Sequence, residues 1–455
     1  MRLSPEKIDP SRNPNALYIG LEHIESGTRR LAGKGIARDV RSAKSVFNTG
    51  DLLYGKLRPY LNKVWFAQEP GVCSTDILVL QSQKGVETSF LARLIGMPAF
   101  IDFAMAHSAG INLPRASFKK LREYVFPLPP LAEQRRIVAR LEKLEAPSRR
   151  ARAALDAIPP LLAQTRQSLL AAAFRGDLTS DWRQQHPPED SGSSIVTALE
   201  AAHGEAGGHK LGNAAQASEG VHDLTLNDFP ASWGLTDLRN LCPPGKPITY
   251  GILMPGPDRA DGVPYIRVAD FPGDTINMET IRRTSKEMDA KFARSRLSTG
   301  DLLLSIRGSV GRLTTIPSEL NGANITQDSA RLSISKKVVT RFAEHMLRAP
   351  QTQTRMQLAV KGVAVRGINI GDVRSLQMPI PPLTEQREIV RRLDHALARL
   401  DATAAAHTAA VAELDRLDQS LLAQAFSGKL VKQDPADEPA SVLLASIRAS
   451  PSDQA

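Results

Sequence analysis

Two cysteines in 455 residues, Cys73 and Cys242, exclude a disulfide scaffold and argue against a cysteine metal site. Long apolar runs are also missing: stretches such as Leu169–Phe174 fall far short of the roughly 18 residues that a membrane span needs. The opening Met1-Arg2-Leu3-Ser4-Pro5-Glu6 lacks the basic-then-apolar pattern of a secretory signal. The expectation is a cytoplasmic protein.

Catalytic signatures are absent too. Gly27 to Gly33-Lys34-Gly35 spaces its glycines by five residues and ends in Gly, whereas a phosphate loop needs four and then Lys-Ser/Thr. The Asn/Asp-Pro-Pro-Tyr/Phe tetrad of adenine methyltransferases does not occur, and neither does Glu-x-Lys. Pro257-Asp258 with Asp289-Ala290-Lys291 meets a loose nuclease pattern, but its second part lies in a charged, helix-like run. Nine scattered histidines give no metal-ligand spacing. The chain is expected to be non-catalytic by itself and to bind neither metal nor cofactor.

What is present is basic charge, and it is localised. Residues 1–126 carry a net +7 and residues 221–378 a net +6, while 127–220 are neutral and 379–455 carry −3. Such a balance points to a polyanion partner. The two basic segments belong to an internal repeat. Pro127-Leu-Pro-Pro-Leu-Ala-Glu-Gln-Arg-Arg-Ile-Val138 recurs as Pro379-Ile-Pro-Pro-Leu-Thr-Glu-Gln-Arg-Glu-Ile-Val390, 252 residues on. Ser168-Leu-Leu-Ala-Ala-Ala-Phe-Arg-Gly-Asp-Leu178 recurs as Ser420-Leu-Leu-Ala-Gln-Ala-Phe-Ser-Gly-Lys-Leu430. Thr49-Gly50-Asp51-Leu52-Leu53 returns as Thr299-Gly300-Asp301-Leu302-Leu303, Tyr18-Ile19 pairs with Tyr265-Ile266, and Gly110–Leu113 pairs with Gly367–Ile370. One two-part module is used twice.

The segments after each Pro-Pro pair step their apolar residues by four and three. The predicted seam is Ile137, Leu141, Leu144, Leu155, Leu162 and Leu169, against Ile389, Leu393, Leu400, Leu414, Leu417 and Leu421. Gly176 and Gly428 are predicted stops, and Pro147 and Pro159-Pro160 predict kinks or breaks in the first helix. The basic segments read as mixed α and β, with strands near Asp51–Tyr54, Ile77–Leu80, Asp301–Ile306 and Arg331–Ile334. Helices are predicted at Ser89–His107 and Val338–Val360. His186–His222, rich in Gly, Ala, Ser and His, reads as a linker.

These motifs closely resemble the specificity subunits of type I restriction-modification systems. The resemblance implies two α/β (α+β) target recognition domains alternating with two long α-helices packed as an antiparallel coiled coil. It places recognition domain 1 at 1–126, a proline-interrupted spacer helix at 127–178, a linker at 179–222, recognition domain 2 at 223–378, the second spacer at 379–430, and a tail with a short helix at 431–455. It also implies double-stranded DNA, two N6-adenine methyltransferase subunits and restriction/motor subunits as partners. S-adenosylmethionine, ATP and Mg are then used by those partners. The first repeat departs from the pattern. It has only 17 residues before Tyr18 and no counterpart to Leu226–Trp233, so that either the start is truncated or misassigned, or the first domain is trimmed.

For DNA contact the candidates are Arg29, Arg30, Lys34, Arg38, Lys56, Arg58 and Lys63, and Arg282, Arg283, Lys286, Arg307, Arg312, Lys361 and Arg366. Phosphate contacts position a protein, while Arg or Lys on guanine and Asn or Gln on adenine choose sequence. Asn112 and Asn369 read as turn residues or base readers; Gly50, Asp51, Gly300, Asp301, Asp76 and Asp328 read as turn formers. Glu133, Gln134, Arg135, Glu385, Gln386 and Arg387 are either first-turn helix residues or a partner interface. Like charge on the two domains and the family resemblance both favour an antiparallel helix pair and a bipartite target; its halves should be unlike because the basic segments share little sequence between their matched motifs, and halves facing one side of the duplex have centres ~34–36 Å apart. A free-standing two-module DNA-binding regulator, or a nuclease or methyltransferase with unfamiliar motifs, are the alternatives.

Overall fold

The computed structural model describes residues 1–83, 85–110, 112–187, 190–205, 223–362 and 366–449. The chain forms two compact units. One comprises Met1–Ala157 with His407–Ala455, and the other Ile158–Ala406.

Each unit builds its domain from the same parts. In the first, Leu52–Gly55 pairs with Val64–Phe66 on one side and Ile77–Gln81 on the other, and Arg2–Leu3 adds to the far edge. In the second, Leu302–Ser305 lies between Leu313–Thr315 and Ser329–Leu332, with Thr249–Tyr250 at the edge. The central strands read as continuous apolar runs because both faces are covered. Gly50 (φ 91°) and Gly300 (φ 84°) make the turn into them, a left-handed conformation that other residues adopt at a cost. The carboxylates of Asp51 and Asp301 close those turns by accepting from Asn48 N–H and Ser298 N–H, both at 2.8 Å. A second sheet in each unit contains a parallel pair in matching register, Tyr18 opposite Val72 and Tyr265 opposite Asn324.

Each predicted helix of the basic segments is two helices. Thr88–Leu94 is followed by Pro98–Ala106 at 70°, and Thr340–Arg348 is followed by Pro350–Leu358. The break falls where Pro98 or Pro350 opens the next helix, since proline cannot continue the preceding hydrogen-bond ladder. No single helix among the described residues is long and apolar enough to cross a membrane.

The long helices run Leu131–Asp156, Ile158–Arg175 and Leu383–Phe426. Pro147 is accommodated inside the first of them, and the break comes at Ala157, so that Pro159-Pro160 occupy a first turn where no N–H is missed. Gly176 (φ 81°) and Gly428 (φ 71°) end their helices in the left-handed conformation. Packing is antiparallel in both units. In the first, Leu155 O accepts from His407 at 3.1 Å, Arg152 meets Asp415 at 2.6 Å and Ser148 meets Asp418 at 2.9 Å. In the second, Arg166 pairs with Asp401, and Thr179 donates to Glu385 at 2.7 Å.

The seam is buried at its domain ends: Ile137, Leu141, Ile389 and Leu393 are inaccessible, whereas Leu144, Leu155, Leu162, Leu169, Leu400, Leu414 and Leu421 are half-buried. Leu417 is corrected to the outside, at 47% exposure. Asp418 and Asp415 face the partner helix instead, held by Ser148 and Arg152, and Leu422 and Ala425 carry the apolar contact beyond them.

The stretch read as a linker also needs correcting. Ser180–Gln185 and Gly192–Glu205 are helices, and the second buries Ile195, Val196 and Leu199 in the core of its unit. Gly192 is there for close packing rather than flexibility, since a Cβ on it would stand 1.8 Å from Ile380 O. The remainder of the predicted linker, 206–222, lies outside the described residues. The tail forms a helix at Ala440–Ala449, whose Leu443 packs over Gly85.

Candidate nucleic-acid interface

In both units the chain leaving the central strand turns a corner that is tied to a second loop. In the first, Arg58 N–H donates to Pro114 O at 2.7 Å and Ala116 N–H to Lys56 O at 2.8 Å. In the second, Gly308 N–H donates to Arg366 O and Ile368 N–H to Ile306 O, both at 2.9 Å. The bridges Leu57–Arg115 and Ala109–Arg115 match Arg307–Gly367 and Lys361–Gly367. The backbone corner is therefore the same while its charged side chains have moved. Lys56, Arg58 and Arg115 project from one corner, and Arg307, Lys361 and Arg366 from the other.

Arg58 occupies the left-handed region (φ 53°) where its counterpart is Gly308 (φ 71°). Holding a non-glycine residue there costs about 1 kcal/mol, and Arg58 is exposed. Among the described residues the side chains of Lys56, Arg58, Arg312, Lys361 and Arg366 make no hydrogen bond or ion pair. Arg307 donates to Gln327 Oε1 at 3.1 Å. Arg115 was missed by the sequence reading and pairs with Asp76 at 3.1 Å. Carrying the 252-residue offset forward to Gly367 would have marked its place. That offset also corrects the pairing of Asn112 with Asn369: the helix cap Asn369, which accepts from Gly371 N–H at 3.2 Å, corresponds to the helix cap Ser117.

Other candidates lie elsewhere. Arg29 is a correction. Its guanidinium meets Glu145 of the long helix at 2.9 Å, burial pulls its pKa down, and it fastens the domain to the helix rather than facing a polyanion. Lys63 Nζ donates to Leu21 O at 2.5 Å, so it too is committed internally. Lys34 pairs with Glu69 at the surface, and Arg30 is half-buried. Arg282 and Arg283 lie on an exposed strand, with Arg283 donating to Gly262 O at 3.0 Å. A separate cleft of about 400 Å³ in the second unit gathers Lys246, Arg294, Arg296 and Arg331.

The Glu-Gln-Arg triplets are built into the interior. Gln134 and Gln386 are inaccessible. Gln134 Oε1 accepts from Glu87 N–H at 2.8 Å while its amide donates to Pro129 O at 2.8 Å. Gln386 does the same with Val339 N–H (2.9 Å) and Pro381 O (3.0 Å). Glu87 and Val339 each precede the first residue of a domain helix, so both glutamines satisfy a helix-end donor and lock the domain to the Pro-Pro turn. Glu385 is buried and accepts from Thr179 Oγ1 (2.7 Å), Trp233 Nε1 (2.9 Å) and Arg183. Glu133 is buried as well. Arg135 and Arg387 point outward, Arg135 lying 3.7 Å from Glu87.

Among the described residues no group of three or more His, Cys, Asp or Glu is arranged to hold a metal. Burial pushes both cysteine thiols up to about 12, which leaves them inert.

A twice-built domain that displays cations at one corner and is fastened to paired long helices defines a two-module DNA-specificity architecture. The type I restriction modification DNA specificity domain matches residues 40–153 and 257–411, and the chain belongs to that family. It is 29% identical to the type I restriction enzyme EcoBI specificity subunit of Escherichia coli, over 86% of this chain and 75% of the relative. It is 36% identical to the EcoDI specificity subunit of the same species over 44% of this chain and 46% of that relative. A solved chain from a study of assembly and conformational transition in the type I R-M system shares the fold. It aligns with TM-score 0.61 and 23% identity over 93% of this chain and 95% of its own length. The chain is a type I restriction-modification specificity subunit, with a DNA-specificity role.

Proposed function

We propose that each domain reads one half of a bipartite DNA target, using Lys56, Arg58 and Arg115 in the first and Arg307, Arg312, Lys361 and Arg366 in the second. The observation that carries this is the pair of corners, identical in backbone and different in side chains. A shared frame with unlike contacts gives two readers in the same orientation on their own domains but with different base preferences. The paired helices space the readers. Their outer faces dock two N6-adenine methyltransferase subunits, and motor-nuclease subunits complete the assembly. S-adenosylmethionine, ATP and Mg²⁺ are bound by those partners, and catalysis is theirs.

The test is domain exchange. Residues 223–378 are replaced by those of a relative with another target, and N6-methyladenine is mapped in cells carrying the methyltransferase partner. One half of the mapped motif should change and the other persist. A change in both halves, or one continuous motif, would overturn the two-reader assignment.

A further inference from the structure

Beside the second corner the chain exposes two large apolar side chains in succession, Leu253 (52%) and Met254 (76%). The backbone on either side of them is pinned. On one side Ile252 N–H donates to Ile325 O at 2.7 Å, and Ile252 O accepts from Gln327 N–H at 2.9 Å. Gly251 lies so close to the same strand that a Cβ on it would stand 1.9 Å from Ile325 O. On the other side Pro255 O accepts from Thr284 Oγ1 at 2.6 Å, and Asp258 Oδ1 accepts from Arg283 N–H at 2.8 Å. Leu253 and Met254 are thus an apolar tip tied down at both ends.

Both anchors carry groups suited to reading DNA. Gln327, whose N–H holds Ile252, also accepts from Arg307 through its Oε1 at 3.1 Å. Arg282 and Arg283 stand exposed on the strand whose Thr284 holds Pro255. Exposed apolar side chains scattered singly are ordinary. A consecutive pair held between two arginine-bearing elements is a different case. The first corner shows the same mixture from other loops. Tyr60 follows Arg58-Pro59, Leu113 precedes the Pro114 whose carbonyl accepts from Arg58 N–H, and both are exposed. Phosphate contact calls for cations alone, so the apolar atoms among them need another partner. In the major groove one base presents an apolar group, the 5-methyl of thymine. Arginine on guanine and glutamine on adenine are pairings made in that same groove.

We propose that Leu253 and Met254 read a thymine methyl in the half-site of the second domain, next to the base contacted by Arg307. This rests on the assignment of that corner to DNA. The contact makes the two side chains specificity-determining: covering the methyl favours thymine, whereas cytosine in its place turns an amino group toward the apolar pair and leaves it without a partner. The unbranched methionine adapts its shape to the methyl, and the tied backbone limits the ordering that binding requires.

The probe is a duplex bearing the target mapped by N6-methyladenine. Beside it stand duplexes in which each thymine of the second domain's half is replaced in turn by uracil, which lacks only that methyl. Each is titrated with the full chain in complex with its methyltransferase subunits. One uracil substitution should weaken binding about fourfold, the contribution of one buried methyl, with the salt slope unchanged. The double variant Leu253→Ala, Met254→Ala should bind the thymine duplex as weakly as the wild type binds that uracil duplex, and should not respond to the uracil. A half without thymine, full affinity for every uracil duplex, or uracil sensitivity that persists in the double variant would overturn the proposal. So would a double variant that fails to assemble with the methyltransferase, since the tip would then be a protein contact. Arg307→Ala separates this outcome from failure of the underlying reading. If it shifts the salt slope or a base preference while uracil does nothing, the methyl contact alone is wrong. If it too has no effect, the corner itself does not meet DNA.

Discussion

Gln386 Oε1 holds the backbone N–H of Val339 at 2.9 Å, and it does so with the same side chain whose amide donates to Pro381 O. One inaccessible residue thus joins a domain helix, a proline turn and a long helix, and Gln134 repeats the arrangement 252 residues earlier. Removing either glutamine strands a buried donor, at a cost of ~1–3 kcal/mol. Gln386→Ala should lower the denaturation midpoint of the second unit and Gln134→Ala that of the first, read by urea unfolding. An unchanged midpoint would remove the clamp.

Arg58 separates stability from binding. Arg58→Gly should stabilise the first unit by ~1 kcal/mol, because glycine adopts φ 53° without steric cost. The same change should weaken DNA binding in the assembled complex and reduce the slope of log affinity against log salt by about 1. Arg58→Ala should weaken DNA binding equally without the stability gain. Equal stability of the glycine and alanine variants would sink the strain argument.

Arg29 and Arg307 should behave oppositely. Arg29→Ala removes a partner of buried Glu145 and should destabilise the first unit while leaving the salt slope unaltered. Arg307→Ala should leave unfolding unaffected and shift the salt slope or one base preference. Salt-dependent binding assays beside thermal melts read both, and a reversed pattern would reassign the two residues.

His345 makes the second unit acid-sensitive. Burial, and then Arg341, hold its pKa below the ordinary 6.5, against the opposing pull of Asp394 at 2.9 Å and of Glu344. The unfolded chain therefore binds the proton first. Stability should be complete above pH about 6.5 and decline as pH falls below it toward the folded value. His345→Gln should flatten that decline below pH about 6.5. Urea unfolding across this range checks it, and an identical slope in the variant would exclude His345 as the titrating group.

The repeat, the alternation of domains with long helices, and the bounds of Leu383–Phe426 were legible because heptad spacing, Pro-Pro starts and glycine stops are local signals. Contacts between residues far apart in sequence were not. Nothing in the spacing of Arg29 or Lys63 announces that Glu145 or Leu21 O will claim it. Leu417 fits the heptad yet faces outward, because Asp415 and Asp418 find cationic or hydroxyl partners across the seam. The helix at Gly192–Glu205 was hidden by composition: small residues read as flexible when their use is close packing. The corners were half-legible, since charge marked the segments while only the backbone hydrogen bonds showed which positions correspond.

The division of the chain into Ile158–Ala406 and a unit that needs both Met1–Ala157 and His407–Ala455 fixes an order of events on the ribosome. Phe90, Ile137, Val138 and Leu141 emerge early, yet Leu422 and Ala425, which cover them, come near the end. At about 5–20 residues per second, that apolar face waits on the order of tens of seconds for its lid. Meanwhile the inserted unit, complete by Ala406, can close. The half made first is therefore the half that finishes last.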